Sequence, residues 1–116
     1  EVIPFIYDGV GGGFNDGLCG VEKDGEWGFI DETGKEVIPF IYDGVRLFFN
    51  DGLCGVEKDG GWGFIDKTGE EVIPFIYDDV RWFGGGLCGV GKGGYINGKY
   101  GFINKQGVSP YPPPKF

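Results

Sequence analysis

The sequence predicts an all-β fold in which tandem β-hairpin repeats stack as a solenoid-like array. Three observations lead to this prediction. The stretch from Glu36 to Glu70 repeats Glu1 to Lys35 with only six differences in 35 positions, and a degraded third copy follows. The signals inside each copy are those of β-strands and tight turns. No window places apolar residues at helical spacing, so helix is expected to be nearly absent.

The copies divide the chain into repeats at 1–35, 36–70 and 71–107, with 108–116 as the start of a fourth repeat in one continuous array. The third repeat is degenerate, because it loses one residue near 84–86 and gains four around 93–97. Both changes fall in glycine-rich stretches, where loops tolerate changes in length. We expect the chain to be a mature product or a fragment of a longer array.

The first element of each repeat is a strand, which runs from Val2 to Tyr7 in the first copy and is rich in β-branched and aromatic residues. Its side chains are apolar on both faces, which predicts a strand that is covered on both sides. Pro4 has no N–H group to donate to a ladder. We therefore expect this strand at a sheet edge, or with a bulge at the proline.

Two further strands form a hairpin in each repeat. Leu18 to Lys23 and Trp27 to Asp31 flank Asp24-Gly25, a dipeptide that is typical of two-residue β-turns. A turn at 14–17 precedes this hairpin, and a turn at 32–34 leads into the next copy. An isolated hairpin cannot bury its own apolar faces, so the repeats are expected to stack on one another.

The glycines of the first repeat are expected at the turns and at one position within a strand. The turn glycines Gly17, Gly25 and Gly34 are expected at positive φ, which glycine adopts without steric cost. Gly28 follows Trp27 inside a strand, where a glycine often marks a close approach. We expect an aromatic ring of a neighbouring strand to lie against it.

The hairpin motif also carries a family resemblance. Trp27 to Asp31 reads W-G-F-I-D, as does 62–66, and Tyr100 to Asn104 reads Y-G-F-I-N. These motifs, followed by T-G-K-E-V-I-P, resemble the WG repeat family over essentially the whole chain. The resemblance implies a bacterial-type array of β-structure, usually without an assigned activity, and it supplies no catalytic residues. The chain departs from the family pattern at Tyr100, at the repeated cysteine and in the insertion of the third copy.

Composition excludes several classes of function. Ten Lys and Arg residues against 18 Asp and Glu residues give a formal net charge of -8, and no basic cluster is present. Nucleic acid and anionic membranes are therefore not expected as partners. No apolar run reaches the roughly 20 residues that a membrane-spanning helix needs, so membrane insertion is not expected either.

Three cysteines, Cys19, Cys54 and Cys88, occupy one position of the repeat. The chain has no histidine and no CxxC pair, so a zinc site or a catalytic thiol is disfavoured. Small buried hydrophobic residues with free thiols are the favoured interpretation. Their redox state stays open, and no cofactor or metal is expected.

Aromatic side chains are the candidates for a binding site, namely Trp27, Trp62, Trp82 and Tyr100. A row of such rings could stack on sugars. Each ring also carries about 150–250 Å² of surface that a stacked array would bury, so a role in the core is favoured.

The repeated aspartates could ligate calcium, but each adjoins a turn and no alternating D-x-D-x-D-G loop exists, so hydrogen bonding within turns is favoured. No nucleophile–base pair appears, and we expect a protein that is not an enzyme.

The leading hypothesis is a self-associating structural protein whose partners are copies of itself or adjacent repeats. Such a protein could be a fibre subunit with an extracellular or cell-surface location. The alternative is a module that binds a peptide or glycan within a larger protein. The block at 11–13, aligned with 46–48 and 81–83, would discriminate between them, because it differs most between copies.

Overall fold

The computed structural model describes residues 6–46, 49–81, 83–92 and 98–108. Every regular element in these ranges is a β-strand, and the strands form three antiparallel sheets. The all-β fold built from hairpin repeats is thereby confirmed. The same ranges contain no apolar helix of the length needed to cross a membrane.

The first sheet has the strand order β1-β2-β3-β4. Its strands are β1 (Gly9–Val10), β2 (Leu18–Lys23), β3 (Glu26–Asp31) and β4 (Glu36–Tyr42). The second sheet repeats this order with β5 (Gly44–Val45), β6 (Leu53–Lys58), β7 (Gly61–Asp66) and β8 (Glu71–Tyr77). The third sheet contains β9 (Asp79–Val80), β10 (Leu87–Lys92) and β11 (Lys99–Asn104), with β10 in the middle.

The turns form as the sequence predicts. Asp24 and Gly25 have φ values of 54° and 85°, the two positive values that a type I′ hairpin turn requires. This turn joins β2 to β3 in a register that runs unbroken from Leu18–Asp31 to Lys23–Glu26. Gly17 and Gly34 also adopt positive φ, of 79° and 88°. Chain reversals are thus fixed by residues that tolerate left-handed backbone.

In the second and third repeats the strand that contains Pro39 or Pro74 lies at the sheet edge, as predicted. The first copy of this strand lies outside the described residues except for 6 and 7. β4 and β8 are the last strands of their sheets, and the β3–β4 register shifts on both sides of Phe29. The prediction that both faces of this strand are covered is wrong. Ile38 and Tyr42 are buried, but Val37 and Ile41 on the other face are 39% and 40% exposed. The face with Ile38 and Tyr42 packs in the core cluster shared with the second sheet, whereas the opposite face is open to solvent.

Gly28 marks a close approach, as expected from its place beside Trp27. A Cβ atom at Gly28 would lie 2.9 Å from the ring of Phe40 and 2.8 Å from the carbonyl oxygen of Ile38. Both neighbours belong to β4, the strand paired with β3. The glycine therefore allows the edge strand to pack directly on the W-G-F-I-D strand.

The hydrophobic core lies between the sheets. One cluster joins Phe29 and Ile38 of the first sheet to Phe49 and Val56 of the second, and another joins the second sheet to the third. No backbone ladder connects one described sheet to the next, so the array is not a closed solenoid. The molecule is elongated, measuring 58 × 28 × 20 Å. The sequence predicts that the repeats stack on one another but not whether their strands pair, and the described sheets contact one another through side chains.

The sheets are out of phase with the sequence repeats. The first sheet ends at Tyr42 and the second begins at Gly44, whereas the repeats were divided between 35 and 36. The starting point of a tandem repeat is a matter of choice, so the boundaries 1–35, 36–70 and 71–107 stay a prediction. The start of a fourth repeat at 108–116 lies outside the described residues except for Val108.

Candidate functional site

The first junction between sheets is made by a valine and a phenylalanine of the second sheet. Val45 of β5 reaches over Gly20 of β2, where its Cγ2 atom lies 3.4 Å from the place a Cβ would occupy. Phe49 packs edge-on against Phe29 of β3, with ring centroids 5.2 Å apart. Edge-to-face geometry places the positive ring edge against the negative ring face. The second sheet thus inserts two apolar side chains into the first.

The second junction repeats this chemistry more tightly. Val80 of β9 covers Gly55 of β6 so closely that a Cβ there would lie 2.7 Å from the valine Cγ2 atom. Phe83 packs edge-on against Phe64 of β7, with centroids 4.8 Å apart. Valine over glycine and phenylalanine on phenylalanine are therefore the two contacts that define how one repeat unit meets the next.

In the first sheet the equivalent valine and phenylalanine, Val10 and Phe14, face solvent. Val10 is 64% exposed and Phe14 is 41% exposed. Their counterparts in the second and third sheets are covered at the two junctions. The outer face of the first sheet therefore has the side chains that make a junction inside the array. We call Val10 and Phe14 the end face.

These repeated contacts agree with the family comparison. The model of the WG-containing repeat matches three consecutive stretches, residues 1–27, 27–62 and 62–95. The chain belongs to this family. Neither the comparison with curated proteins nor that with solved structures gave a match. In this WG-repeat chain the Trp-Gly motif lies on the inner strands β3 and β7. Each of them lies between its hairpin partner, β2 or β6, and the proline-containing strand, β4 or β8.

An arginine adds a polar contact to the second junction alone. The Arg46 Nε atom donates to the carbonyl oxygen of Val80 at 2.9 Å, and its guanidinium also forms an ion pair with Asp79. The guanidinium carbon lies 4.5 Å from the ring centroid of Trp62. Arg46 thus connects two sheets through charge, hydrogen bonding and a cation–π contact. At the first junction its counterpart is Gly11, which has no side chain.

Asp79 is the centre of this polar cluster. Besides Arg46, it contacts the guanidinium of Arg81 at 3.3 Å and accepts a hydrogen bond of 2.7 Å from the hydroxyl of Tyr100. Partial burial raises the pKa of Asp79, but the Tyr100 hydrogen bond and the two arginine charges outweigh it, so this pKa is lower than usual. The same hydrogen bond raises the pKa of Tyr100. Asp79 is therefore held as a carboxylate.

A cleft of about 470 Å³ opens beside this cluster. Its walls include Arg46 and Trp62 of the second sheet and Arg81, Lys92, Lys99 and Tyr100 of the third. The chain has only two arginines, and both lie here. Cationic and aromatic side chains therefore share one concave surface in an otherwise acidic molecule.

The candidate aromatic residues have different surroundings. Trp27 and Trp62 are half-buried and pack against the core clusters, and Arg46 lies over the ring of Trp62. Tyr100 is 61% exposed. Trp82 lies outside the described residues. Tyr100 is the one of these that presents a largely exposed ring to the cleft.

The cysteines are buried free thiols, as the sequence indicates. Burial raises the pKa of Cys54 to about 12 and that of Cys88 to about 11, and it also raises the pKa of Cys19. The Cys88 Sγ atom donates to the carbonyl oxygen of Gly89 at 3.2 Å. Such protonated thiols are poor nucleophiles and poor metal ligands.

The aspartates accept hydrogen bonds from turns, which confirms the favoured interpretation for several of them. Asp31 Oδ1 accepts from the Thr33 hydroxyl at 2.6 Å and from the amide groups of Thr33 and Lys35. The Thr33 hydroxyl is the main reason that the pKa of Asp31 lies below its usual value. Asp66 repeats this arrangement. Residues 6–46, 49–81, 83–92 and 98–108 contain no group of three potential metal ligands.

Sequence reasoning missed Asp79 and the two lysines of the cleft. The available signal was the block at 11–13, where glycines in the first copy align with Arg46 and Arg81 in the others. A second signal was Lys99, which aligns with Gly61 of the preceding repeat. Substitutions concentrated in one region of an otherwise uniform repeat indicate a local chemical role.

Proposed function

We propose that this protein is a non-enzymatic structural module that associates end to end with copies of itself and so builds a fibre. The observation that carries the proposal is the end face. Val10 and Phe14 are exposed, although the equivalent side chains form both internal junctions. Exposed apolar groups that match an existing contact favour a further contact of the same kind.

The geometry of the internal junctions supports an open chain of copies. The second sheet gives Val45 and Phe49 to the first sheet and receives Val80 and Phe83 of the third sheet on another surface. This is a heterologous contact, since the two surfaces differ. Heterologous contacts that do not close into a ring produce filaments. Each copy added to this elongated molecule would extend the row of sheets.

The third sheet has the groups that would receive the end face of another copy. Gly89 aligns with Gly20 and Gly55, and Phe102 aligns with the phenylalanines that receive Phe49 and Phe83. A second copy is therefore the occupant that the end face fits, because the contact continues one already present twice in the chain.

Charge modulates such association. Copies with a net charge of -8 repel one another at low ionic strength. Salt screens this repulsion between charges that are further apart than the Debye length, which is about 10 Å at 0.1 M. End-to-end contacts made by apolar side chains are then expected to strengthen as salt is added, because hydrophobic contacts are not screened.

Sedimentation velocity over a range of protein and salt concentrations tests the proposal. We expect larger species at high concentration and filaments by negative-stain microscopy, and Phe14→Asp should abolish both. Ile76→Asp is the matched control, because Ile76 is also about half exposed but its position is exposed in all three repeats. A monodisperse monomer at every concentration, or equal loss in the control, would count against the proposal.

A binding module is the second candidate function. The observation that favours it is the cleft beside Asp79, where Arg46, Arg81 and Tyr100 converge. Its chemistry differs from that of the first junction, whereas a surface used only for stacking needs no such difference.

A further inference from the structure

We propose that the cleft between the second and third sheets binds an acidic sugar, a pyranose that carries a carboxylate. The carboxylate would lie among Arg81, Lys92 and Lys99, and the sugar ring would lie beside Tyr100. This proposal is independent of end-to-end association, because it concerns the inside of one copy.

Two lysines, Lys92 and Lys99, are paired across the third sheet. These residues are directly opposite each other on β10 and β11, and both line the cleft. Like charges at opposed positions of an antiparallel pair are destabilising. The same position holds the opposite charges Lys23 and Glu26 in the first sheet. The third sheet therefore contains a repulsive pair that a bound anion would relieve.

The cleft has a small excess of positive charge, since four cationic side chains line it against three carboxylates. Asp79 is shared between Arg46 and Arg81. Within the described residues, no carboxylate forms an ion pair with Lys92 or Lys99. Arg81 is also about half exposed, which leaves its guanidinium accessible from the cleft. Arginine and lysine together bind oxyanions through charge-assisted hydrogen bonds.

The first junction lacks this arrangement. At the aligned positions it has Gly11 for Arg46, Gly44 for Asp79 and Gly61 for Lys99. Glu57 aligns with Gly91, so the third sheet has also lost a negative charge beside the aromatic residue. These changes all raise positive charge or build the cluster at one junction, which is what an anion site requires.

The sugar part of the ligand follows from Tyr100 and from the remaining acidic groups. The ring of Tyr100 lies against Gly91, where a Cβ would be only 2.9 Å from Cζ, and the guanidinium carbon of Arg81 lies 5.7 Å from the ring centroid. The residue is nevertheless 61% exposed, which leaves ring surface for a sugar beside Arg81. Sugars present C–H groups to such rings and hydroxyl donors to carboxylates. Glu57 also lines the cleft. The hydroxyl groups of a sugar would donate hydrogen bonds to its carboxylate, whereas each additional carboxylate of an acidic peptide would be repelled by it, so the sugar is favoured.

The test uses glucuronic acid and a short glucuronate oligosaccharide, titrated into the intact chain by calorimetry and by NMR. Glucose supplies the ring without the charge, acetate supplies the carboxylate without the ring, and a glutamate-rich hexapeptide supplies an acidic polymer of another class. We expect glucuronate to bind more tightly than each of these, with shifts at Tyr100 and Lys99, and to bind more weakly as salt is added.

Two charge-reversal variants make the test specific. Lys99→Glu restores at this position the opposite charges found at Lys23 and Glu26, so it should fold at least as stably as the native chain. It should nevertheless weaken glucuronate binding by roughly tenfold or more. Lys67→Glu changes net charge equally at an exposed position where the first repeat already has Glu32. It should change the affinity by less than about twofold.

Several outcomes would overturn the proposal. If Lys99→Glu left the affinity for glucuronate unchanged, glucuronate would be bound at a site other than this cleft. If acetate bound as tightly as glucuronate, the sugar ring would contribute nothing to the affinity. If the hexapeptide bound more tightly, the ligand would be an acidic peptide and not a sugar. Failure of all ligands to bind the folded chain would contradict the site itself.

Discussion

The Nε atom of Arg46 donates to the carbonyl oxygen of Val80 across the junction of the second and third sheets, at 2.9 Å. The apolar chemistry of this junction is already present at the first junction, where Val45 covers Gly20. Arg46 therefore adds a polar connection to a contact that the rest of the repeat makes without it. The two junctions of one array thus differ in strength and in chemistry.

Replacing Arg46 by alanine should destabilise the fold by about 1–3 kcal/mol, because it removes a charged hydrogen bond and a cation–π contact at a part-buried site. Chemical denaturation measures this change. A double-mutant cycle with Asp79→Ala should show a coupling of about 0.5–3 kcal/mol. Lys67→Ala removes a charge at an exposed site and should be close to neutral. Equal stability of Arg46→Ala and the native chain would mean that the ion pair contributes nothing.

Gly55 and Gly89 provide a matched pair for the valine-over-glycine contact. A Cβ at Gly55 would lie 2.7 Å from Val80, whereas at Gly89 the nearest atom, in Arg81, would be 3.7 Å away. Gly55→Ala should therefore cost about 1–3 kcal/mol of unfolding free energy through overpacking. Gly89→Ala should cost much less. Thermal and denaturant unfolding compare them, and similar losses in both variants would contradict the role of the junction.

Much of this fold follows from local signals in the sequence. Asp24-Gly25 predicts its own turn, because the two residues tolerate the left-handed backbone that the turn needs. Pro39 predicts an edge strand, because it has no N–H group to donate. The exposure of Val37 and Ile41 was not predictable, since apolar side chains on both faces of a strand do not show which face has a neighbour.

The candidate site was less accessible to sequence reasoning. The pairing of Arg46 with Asp79 joins residues 33 positions apart, and it depends on how two sheets are placed side by side. The repeat alone does not show it, because Asp79 aligns with Gly44. Arginines lie over the rings of both Trp62 and Tyr100, at 4.5 Å and 5.7 Å from the centroids. Of these two rings only that of Tyr100 is largely exposed, which the sequence does not show.

Acid should destabilise the protein through the aspartates that accept hydrogen bonds in the turns. The Thr68 hydroxyl is the main reason that the folded pKa of Asp66 lies below the ordinary value of 3.8. A lowered folded pKa stabilises the native state above the ordinary value, and this contribution is lost as pH falls through the folded pKa. We expect the melting temperature to fall below about pH 4. Thr68→Val should reduce the part of this pH dependence that is due to Asp66, and an unchanged profile would contradict the assignment.

The three thiols should resist modification in the folded protein. Burial raises the pKa of Cys54 to about 12 and that of Cys88 to about 11, so little thiolate exists near neutral pH. A thiol-specific reagent should react slowly with the native chain and quickly with the chain in denaturant. Rapid reaction of the native protein would show that the junctions open readily.

Cross-linking from position 14 tests the association of copies most directly. Photoreactive benzoylphenylalanine replaces Phe14, and an equal mixture of isotope-labelled and unlabelled protein is irradiated and examined by mass spectrometry. We expect cross-links between labelled and unlabelled copies, from position 14 to β10 or β11 of another molecule. Cross-links confined to a single copy, or directed to any surface other than the third sheet, would contradict it.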